Sequence, residues 1–150
     1  MYNLHALGWR SFQQLCLTIT REILGQTVES FLDSKDGGRD GAFAGQWKPT
    51  GQDNLEGQFV IQCKFTSKSN AILNVSDISD EVEKARKLVE RGCCDSYILM
   101  TNAGLSGPGE EKIKALFKNA GVKHVVIFGS TWICQQILEN KRLRMLVPRV

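Results

Sequence analysis

Residues 58–65 have the sequence QFVIQCKF, the stretch that most strongly determines the expected fold. Successive side chains of a β-strand project to opposite faces, so this alternation predicts a strand with one fully apolar face. That face would carry Phe59, Ile61, Cys63 and Phe65, and the other Val60, Gln62 and Lys64. Packing alone does not explain an amide and a lysine on an otherwise apolar strand, so Gln62 and Lys64 are candidate functional residues.

Helical and strand patterns alternate around this strand. Helical spacing of apolar residues predicts helices over residues 8–24, 76–91, 110–120 and 130–139. Short apolar runs predict further strands over residues 27–32, 42–47, 96–101 and 123–128. The early strands can form a meander and the later ones need helical crossovers, so we expect a three-layer α/β or α+β domain with a mixed sheet.

The composition is typical of a soluble globular domain. The 150 residues include 19 Lys and Arg against 16 Asp and Glu, and 42% are hydrophobic, which is enough for one core without a disulfide or a metal. No apolar stretch approaches the ~20 residues of a membrane span, and the first residues lack a signal-peptide pattern. The five cysteines are an odd number without a C-x-x-C pair, which favours buried free thiols. We therefore expect a cytoplasmic protein that does not use a membrane.

A glycine-rich segment, DGGRDG at residues 36–41, directly precedes the strand predicted over residues 42–47. If Asp40 lies on the strand next to residues 58–65, its carboxylate can meet Gln62 and Lys64. Carboxylate and amide oxygens suit a hard cation, and an ammonium group can orient the attacking water and offset phosphate charge. The combination indicates Mg²⁺-dependent phosphodiester cleavage. The alternative for residues 36–41 is a plain tight turn. The alternative for Lys64 is an edge-strand lysine that only extends its charge to solvent.

These motifs resemble those of the PD-(D/E)xK nuclease superfamily, and within it the Mrr-like restriction endonucleases. The matching segments are DGGRDG, VIQCK, SYILMTNAGLS and VVIFGSTWI, which together cover almost the whole chain. The resemblance implies a restriction-endonuclease-like three-layer fold, with a central mixed β-sheet flanked by helices. It also implies a DNA endonuclease that uses Mg²⁺, for which Mn²⁺ can substitute. Such domains occur as N-terminal effectors of antiviral STAND ATPases and in standalone type IV restriction enzymes, so an antiphage defence role follows as an expectation.

Carried over residue by residue, the resemblance gives each site residue a role. Asp40 becomes the principal metal ligand, Gln62 a second ligand through its side-chain oxygen, and the backbone carbonyl of Cys63 a third. Lys64 becomes the catalytic lysine. Gln62 stands where relatives carry a glutamate.

The chain departs from the family pattern on its first helix. The family often has a glutamate just after the phenylalanine of this helix, and here that position is Gln13. Glu22, on the same helix, is a second candidate, and Asp36 either assists the site or only shapes the turn. With amides at positions 13 and 62, the site holds fewer negative charges than an all-carboxylate one, which suggests weak metal binding without DNA.

Residues around these motifs suggest how DNA would be held. Thr66, Ser67 and Lys68 follow the catalytic lysine and could bind backbone phosphates, or else be solvated loop residues. We assign residues 1–141 to the nuclease domain and 142–150 to a linker or the start of a following domain. Double-stranded DNA is the expected substrate, and a homo-oligomer the expected form, because cutting both strands needs two active centres or two encounters. The alternatives are a catalytically inactive module that binds nucleic acid and a purely structural oligomerisation module.

Overall fold

The computed structural model describes residues 2–24, 29–30, 40–47 and 54–145, with the side chains of Leu24, Glu29 and Ser30 left out of the description. The helices are α1 (Trp9–Leu24), α2 (Ser79–Glu90), α3 (Gly107–Asn119), α4 (Ser130–Glu139) and α5 (Lys141–Arg144). The strands are β1 (Glu29–Ser30), β2 (Gly41–Trp47), β3 (Leu55–Lys64), β4 (Ser96–Thr101) and β5 (His124–Phe128). Short 3₁₀ turns at Leu4–Ala6 and Val75–Ile78 complete the described elements.

The strands form a mixed sheet in the order β1-β2-β3-β4-β5. β1, β2 and β3 form an antiparallel meander, and β4 and β5 extend the sheet in parallel with β3. The helical segments α2 and α3 supply the crossovers between the parallel strands, as such connections require. The predicted mixed sheet between helical layers is confirmed.

The alternation along β3 divides the core into two halves. Phe59, Ile61 and Cys63 pack with buried residues of α1 and α4 on one face of the sheet. Val60 packs on the other face with buried residues of α2 and α3. β3 is therefore covered on both faces, and Gln62 and Lys64 lie at its C-terminal end, where the apolar cover stops.

Several element boundaries differ from the sequence prediction, among them the start of α3, which is Gly107 instead of residue 110. β3 begins at Leu55 instead of residue 58, because its first residues pair with the end of β2 across Gly45 and Gly57. The helix expected to start at Ser76 or Asp77 begins as a 3₁₀ turn capped by Asn74, whose side chain and that of Asp77 form a reciprocal capping box. α5 follows α4 after Asn140, which caps it through the amides of Arg142 and Leu143.

α5 is packed onto the domain rather than extended away from it. Its Leu143 is fully buried in the cluster formed with α1 and α4. The described packing of the domain therefore continues past residue 141, the boundary expected from the sequence. Residues 146–150 lie outside the described part of the chain. Of the helices in the described ranges, none has the length and apolar character needed to cross a membrane.

Candidate active site

Asp40 lies next to the strand that carries Gln62 and Lys64. Gly41 pairs with Ile61 in the antiparallel ladder between β2 and β3, and the backbone N–H of Asp40 donates to the carbonyl of Ile61 at 2.9 Å. The ladder thus continues one residue beyond β2 and places Asp40 beside residues 62 and 63. Asp40 therefore lies beside the strand that carries Gln62 and Lys64, and the hydrogen bonds of its carboxylate go to Cys63 and Gln13.

The Asp40 carboxylate is held by one hydrogen bond on each oxygen. Oδ2 accepts the backbone N–H of Cys63 at 2.7 Å, and Oδ1 accepts Nε2 of Gln13 at 3.2 Å. Gln13, one of the two helix-borne candidates, therefore contacts the predicted metal ligand directly. A carboxylate offers about four lone-pair positions, so both oxygens keep the capacity to bind a cation.

Burial raises the pKa of Asp40 above its ordinary value of 3.8. The hydrogen bonds from Cys63 and the positive charge of Lys84 oppose this shift, and the negative charge of Glu81 adds to it. The site is therefore partly desolvated and draws on both helical layers, with Gln13 from α1 and Glu81 and Lys84 from α2.

Gln62 presents a buried oxygen that has no hydrogen-bond partner. Its Oε1 is inaccessible to solvent, and no group in the described residues donates to it. Buried polar atoms are normally paired, so this oxygen is available to a ligand. A carboxylate together with a free amide oxygen fits the oxygen preference of Mg²⁺. Within the described ranges, no three His, Cys, Asp or Glu side chains form a metal-binding group, so a cation here would require the amide or backbone oxygens as well.

Lys64 forms an ion pair with Glu81 on α2. Its Nζ lies 3.0 Å from Oε1 of Glu81, and the lysine side chain is 34% exposed while that of Glu81 is 12% exposed. Glu81 is not among the site residues predicted from the sequence. A signal was present, however, because Ile78, Glu81, Val82 and Ala85 share one helical face, and an acid on a buried face requires a partner.

The Cys63 side chain is buried, and its thiol contacts both the carboxylate of Asp40 and the thiol of Cys16. The contact with Cys16, together with burial, raises the pKa of Cys63 well above its ordinary value. The thiol is therefore held neutral and serves packing. Any contribution of Cys63 to a metal comes from its backbone, as the resemblance implied.

Comparison with known proteins gives the family. The model of the Mrr catalytic domain, described as restriction endonuclease, matches residues 4–127, from the first 3₁₀ turn into β5. The chain belongs to the Mrr-like restriction endonuclease family. A search of curated proteins finds no match. Family membership, the mixed sheet and the Asp40–Gln62–Lys64 arrangement agree with a PD-(D/E)xK nuclease domain, for which DNA is the substrate.

Two other candidates for an acidic residue of this nuclease domain have different outcomes. Glu22 forms an ion pair with Arg142 at 3.4 Å, and it lies nine residues after Gln13, about 13 Å farther along the axis of α1. Nothing in the described structure brings it to Asp40. Asp36 lies outside the described residues.

The segment after Lys64 is held in place by hydrogen bonds from the end of β4. The buried side chain of Asn102 accepts the N–H of Thr66 at 2.8 Å and donates to its carbonyl at 2.8 Å. Nδ1 of His5 lies 3.0 Å from the same carbonyl. Oγ1 of Thr66 accepts the N–H of Lys68 at 3.2 Å, which closes a compact turn.

A cleft of about 570 Å³ opens directly beside Lys64. One wall is formed by residues 65–68 and the other by residues 71–74, and the latter is hydrogen-bonded to Gly104 through Ala71 and Leu73. Both walls are therefore fixed by contacts with the end of β4. The three residues expected to bind phosphates line this cleft: Thr66, Ser67 and Lys68.

Proposed function

We propose that this nuclease domain is a Mg²⁺-dependent endonuclease that hydrolyses phosphodiester bonds of double-stranded DNA. The observation that carries the proposal is the position of Asp40, which hydrogen-bonds to Cys63 and Gln13 beside the unpaired Oε1 of Gln62. Lys64 follows two residues later on the same face of β3. These are the oxygen ligands and the cationic group that the reaction needs at one place.

Each residue has a distinct role in this proposal. Asp40, Gln62 and the carbonyl of Cys63 would hold the cation. Bound Mg²⁺, for which Mn²⁺ can substitute, supplies Lewis acidity toward the phosphate and makes the attacking water more acidic. Lys64 provides positive charge for the phosphate and orients the water, while Gln13 keeps the Asp40 carboxylate aimed toward the site.

The cleft beside Lys64 supports a path for the DNA backbone. Hydroxyl, backbone N–H and lysine groups are the usual phosphate contacts, and Thr66, Ser67 and Lys68 place all three at the mouth of the site. Because Asn102 fixes Thr66, this phosphate-binding turn would be formed before DNA arrives. Hydrolysis of both strands would require two such sites, so we propose that the domain acts as a homo-oligomer.

A plasmid assay tests the proposed activity. Purified protein is incubated with supercoiled plasmid and Mg²⁺ or Mn²⁺, and nicked and linear products are quantified. The wild type should cut, and Asp40→Ala and Lys64→Ala should each lose at least about 100-fold, the scale of removing one electrostatic group from an active site. Lys114→Ala is the matched control, because Lys114 is also ion-paired, to Glu110, on the surface of α3. Equal cutting by all four proteins would contradict the proposal.

A second candidate is a catalytically inactive module that binds nucleic acid. The amides at positions 13 and 62, where relatives carry acids, favour it. This alternative predicts that fluorescent duplex DNA is retained in anisotropy titrations while no divalent metal produces cleavage. Absence of DNA binding even at low salt, where phosphate contacts are strongest, would instead favour a purely structural module.

A further inference from the structure

Glu81 is a largely buried acid whose second carboxylate oxygen has no hydrogen-bond partner among the described residues. One carboxylate oxygen, Oε1, binds Lys64 at 3.0 Å, while Oε2 is inaccessible to solvent and unpaired in the described structure. Leaving a charged acceptor half-satisfied in a buried place is costly. The cost suggests that Oε2 is directed toward a group that joins the site.

Other unpaired atoms lie in the same region. Oε1 of Gln62 and the hydroxyl of Tyr97 are also buried without a partner in the described residues. Tyr97 pairs with Val60 in the ladder between β3 and β4. Val60 lies two residues before Gln62, so both side chains project from the same face of β3. The charges of Glu81 and Asp40 add to burial in raising the pKa of Tyr97 well above its ordinary value, so these groups share one electrostatic environment.

We propose that Glu81 supplies the second carboxylate of the cation site, with Oε1 holding Lys64 and Oε2 facing the cation. This inference rests on the proposed function, and it changes the charge of the site. Without Glu81, the single negative charge of Asp40 would be outweighed by the positive charges of Lys64 and Lys84, which disfavours binding of a divalent cation. Glu81 restores the negative charge that the amide of Gln62 lacks, and carboxylate number is a main determinant of affinity for hard cations.

The position of Glu81 is rigid enough for this role. It lies in the first turn of α2, where the helix dipole favours a carboxylate. The capping box of Asn74 and Asp77 fixes the start of the preceding 3₁₀ turn, and Ile78, Val82 and Ala85 anchor the same helical face in the core. Glu81 therefore reaches the site from a fixed backbone.

Mn²⁺ binding to the DNA-free protein tests the inference without relying on activity. Titrations followed by electron paramagnetic resonance compare wild type, Glu81→Gln and Glu83→Gln. Glu83 is the matched control, because it lies on the same helix but is exposed and pairs with the surface residue Arg86. Glu81→Gln should bind Mn²⁺ about tenfold more weakly or worse, whereas Glu83→Gln should match the wild type.

A thermal-shift measurement distinguishes weaker metal binding from a folding defect of the variant. Each protein is melted with and without Mn²⁺, so that the metal-induced rise in Tm is measured against the same variant. The inference is overturned if Glu81→Gln binds Mn²⁺ like the wild type with the same rise in Tm, or if the wild type binds no Mn²⁺. Metal binding that depends on Glu81 in a protein that never cuts plasmid would support the inference and contradict the proposed endonuclease function.

Discussion

The carboxylate of Asp40 accepts the backbone N–H of Cys63 at 2.7 Å. This single bond joins the acidic residue before β2 to the middle of the Gln62–Cys63–Lys64 motif on β3. The motif therefore depends on the pairing of two strands, and a shift of one residue in their register would move Gln62 and Lys64 to the opposite face. The register is fixed by packing of the buried face of β3, so the same packing that forms the core also positions the site residues.

The first prediction concerns Asp40 and pH. Replacement Asp40→Asn should raise the free energy of unfolding of the metal-free protein near neutral pH. Burial raises the pKa of Asp40, so the ionised carboxylate is less favourable in the folded state than in the unfolded chain. Asparagine can keep both hydrogen bonds, with its oxygen accepting from Cys63 and its amide donating to a rotated Gln13.

The sign of the pH dependence follows from the direction of this shift. The stabilisation associated with a raised carboxyl pKa is fully present below the ordinary value of 3.8 and is lost as pH rises through the folded pKa. The advantage of Asp40→Asn should therefore shrink as pH falls toward 3.8. Urea unfolding in chelator at several pH values measures it. A variant that is less stable than the wild type at neutral pH would be incompatible with this account.

Much of the fold could be predicted from the sequence because its signals are local. The alternation in residues 58–65 gave the two faces of β3, and the predicted strand Ser96–Thr101 and helix Ser130–Glu139 agree with the structure. Asp40, Gln62 and Lys64 could be grouped because residues two apart on a strand share a face and neighbouring strands bring a third residue beside them. These inferences needed only the periods of regular structure and one assumed strand pairing.

Glu81 and Asn102 could not be placed in the same way. Their partners, Lys64 and Thr66, lie 17 and 36 residues away in sequence. Helical periodicity puts Glu81 on the buried face of α2, but it does not specify which residue of β3 this side chain reaches. Glu22 shares α1 with Gln13, but it lies about 13 Å farther along the helix axis and pairs with Arg142. Helix angle is encoded locally, whereas the axial alignment of a helix on a sheet depends on the whole core.

The second prediction concerns the two hydrogen bonds between the Asn102 side chain and the backbone of Thr66. Asn102→Ala should destabilise the domain by about 2–3 kcal/mol, because it removes two hydrogen bonds and leaves the backbone groups of Thr66 without these partners. Urea unfolding measures the loss. Asn119→Ala, at an exposed position near the end of α3, should stay within about 0.5 kcal/mol of the wild type. Equal stability of the two variants would show that these hydrogen bonds do not contribute to the free energy of unfolding.

The third prediction concerns Gly57, which pairs with Gly45 in the hairpin of β2 and β3. Gly57 has φ +113°, and an added Cβ would collide with the carboxylate of Asp95. That carboxylate accepts the N–H of Gln58 at 2.8 Å, so it cannot move without breaking this bond. Gly57→Ala should therefore cost about 2–3 kcal/mol, from strained backbone and lost hydrogen bonding together.

Gly92 provides the control for this substitution. It also has a left-handed conformation, with φ +71°, but a Cβ there would meet nothing within 4 Å. Gly92→Ala should cost only the backbone strain, about 1 kcal/mol. Thermal and urea unfolding of both variants separate strain from collision. If Gly92→Ala proved as damaging as Gly57→Ala, the contact with Asp95 would not be the cause.

The fourth prediction separates DNA binding from catalysis along the cleft. Lys68→Ala should weaken binding of duplex DNA and lower the slope of log Kd against log salt by about 0.9, because one phosphate contact is lost. Its cleavage rate at saturating DNA should stay close to that of the wild type. Lys64→Ala should show the reverse, with nearly normal binding and a large loss of rate, because Glu81 already neutralises much of the lysine charge in the DNA-free protein. Anisotropy titrations across a salt series, followed by single-turnover cleavage, measure both quantities. A Lys68→Ala protein with unchanged salt dependence would remove this lysine from the phosphate path and leave Thr66 and Ser67 as its remaining members.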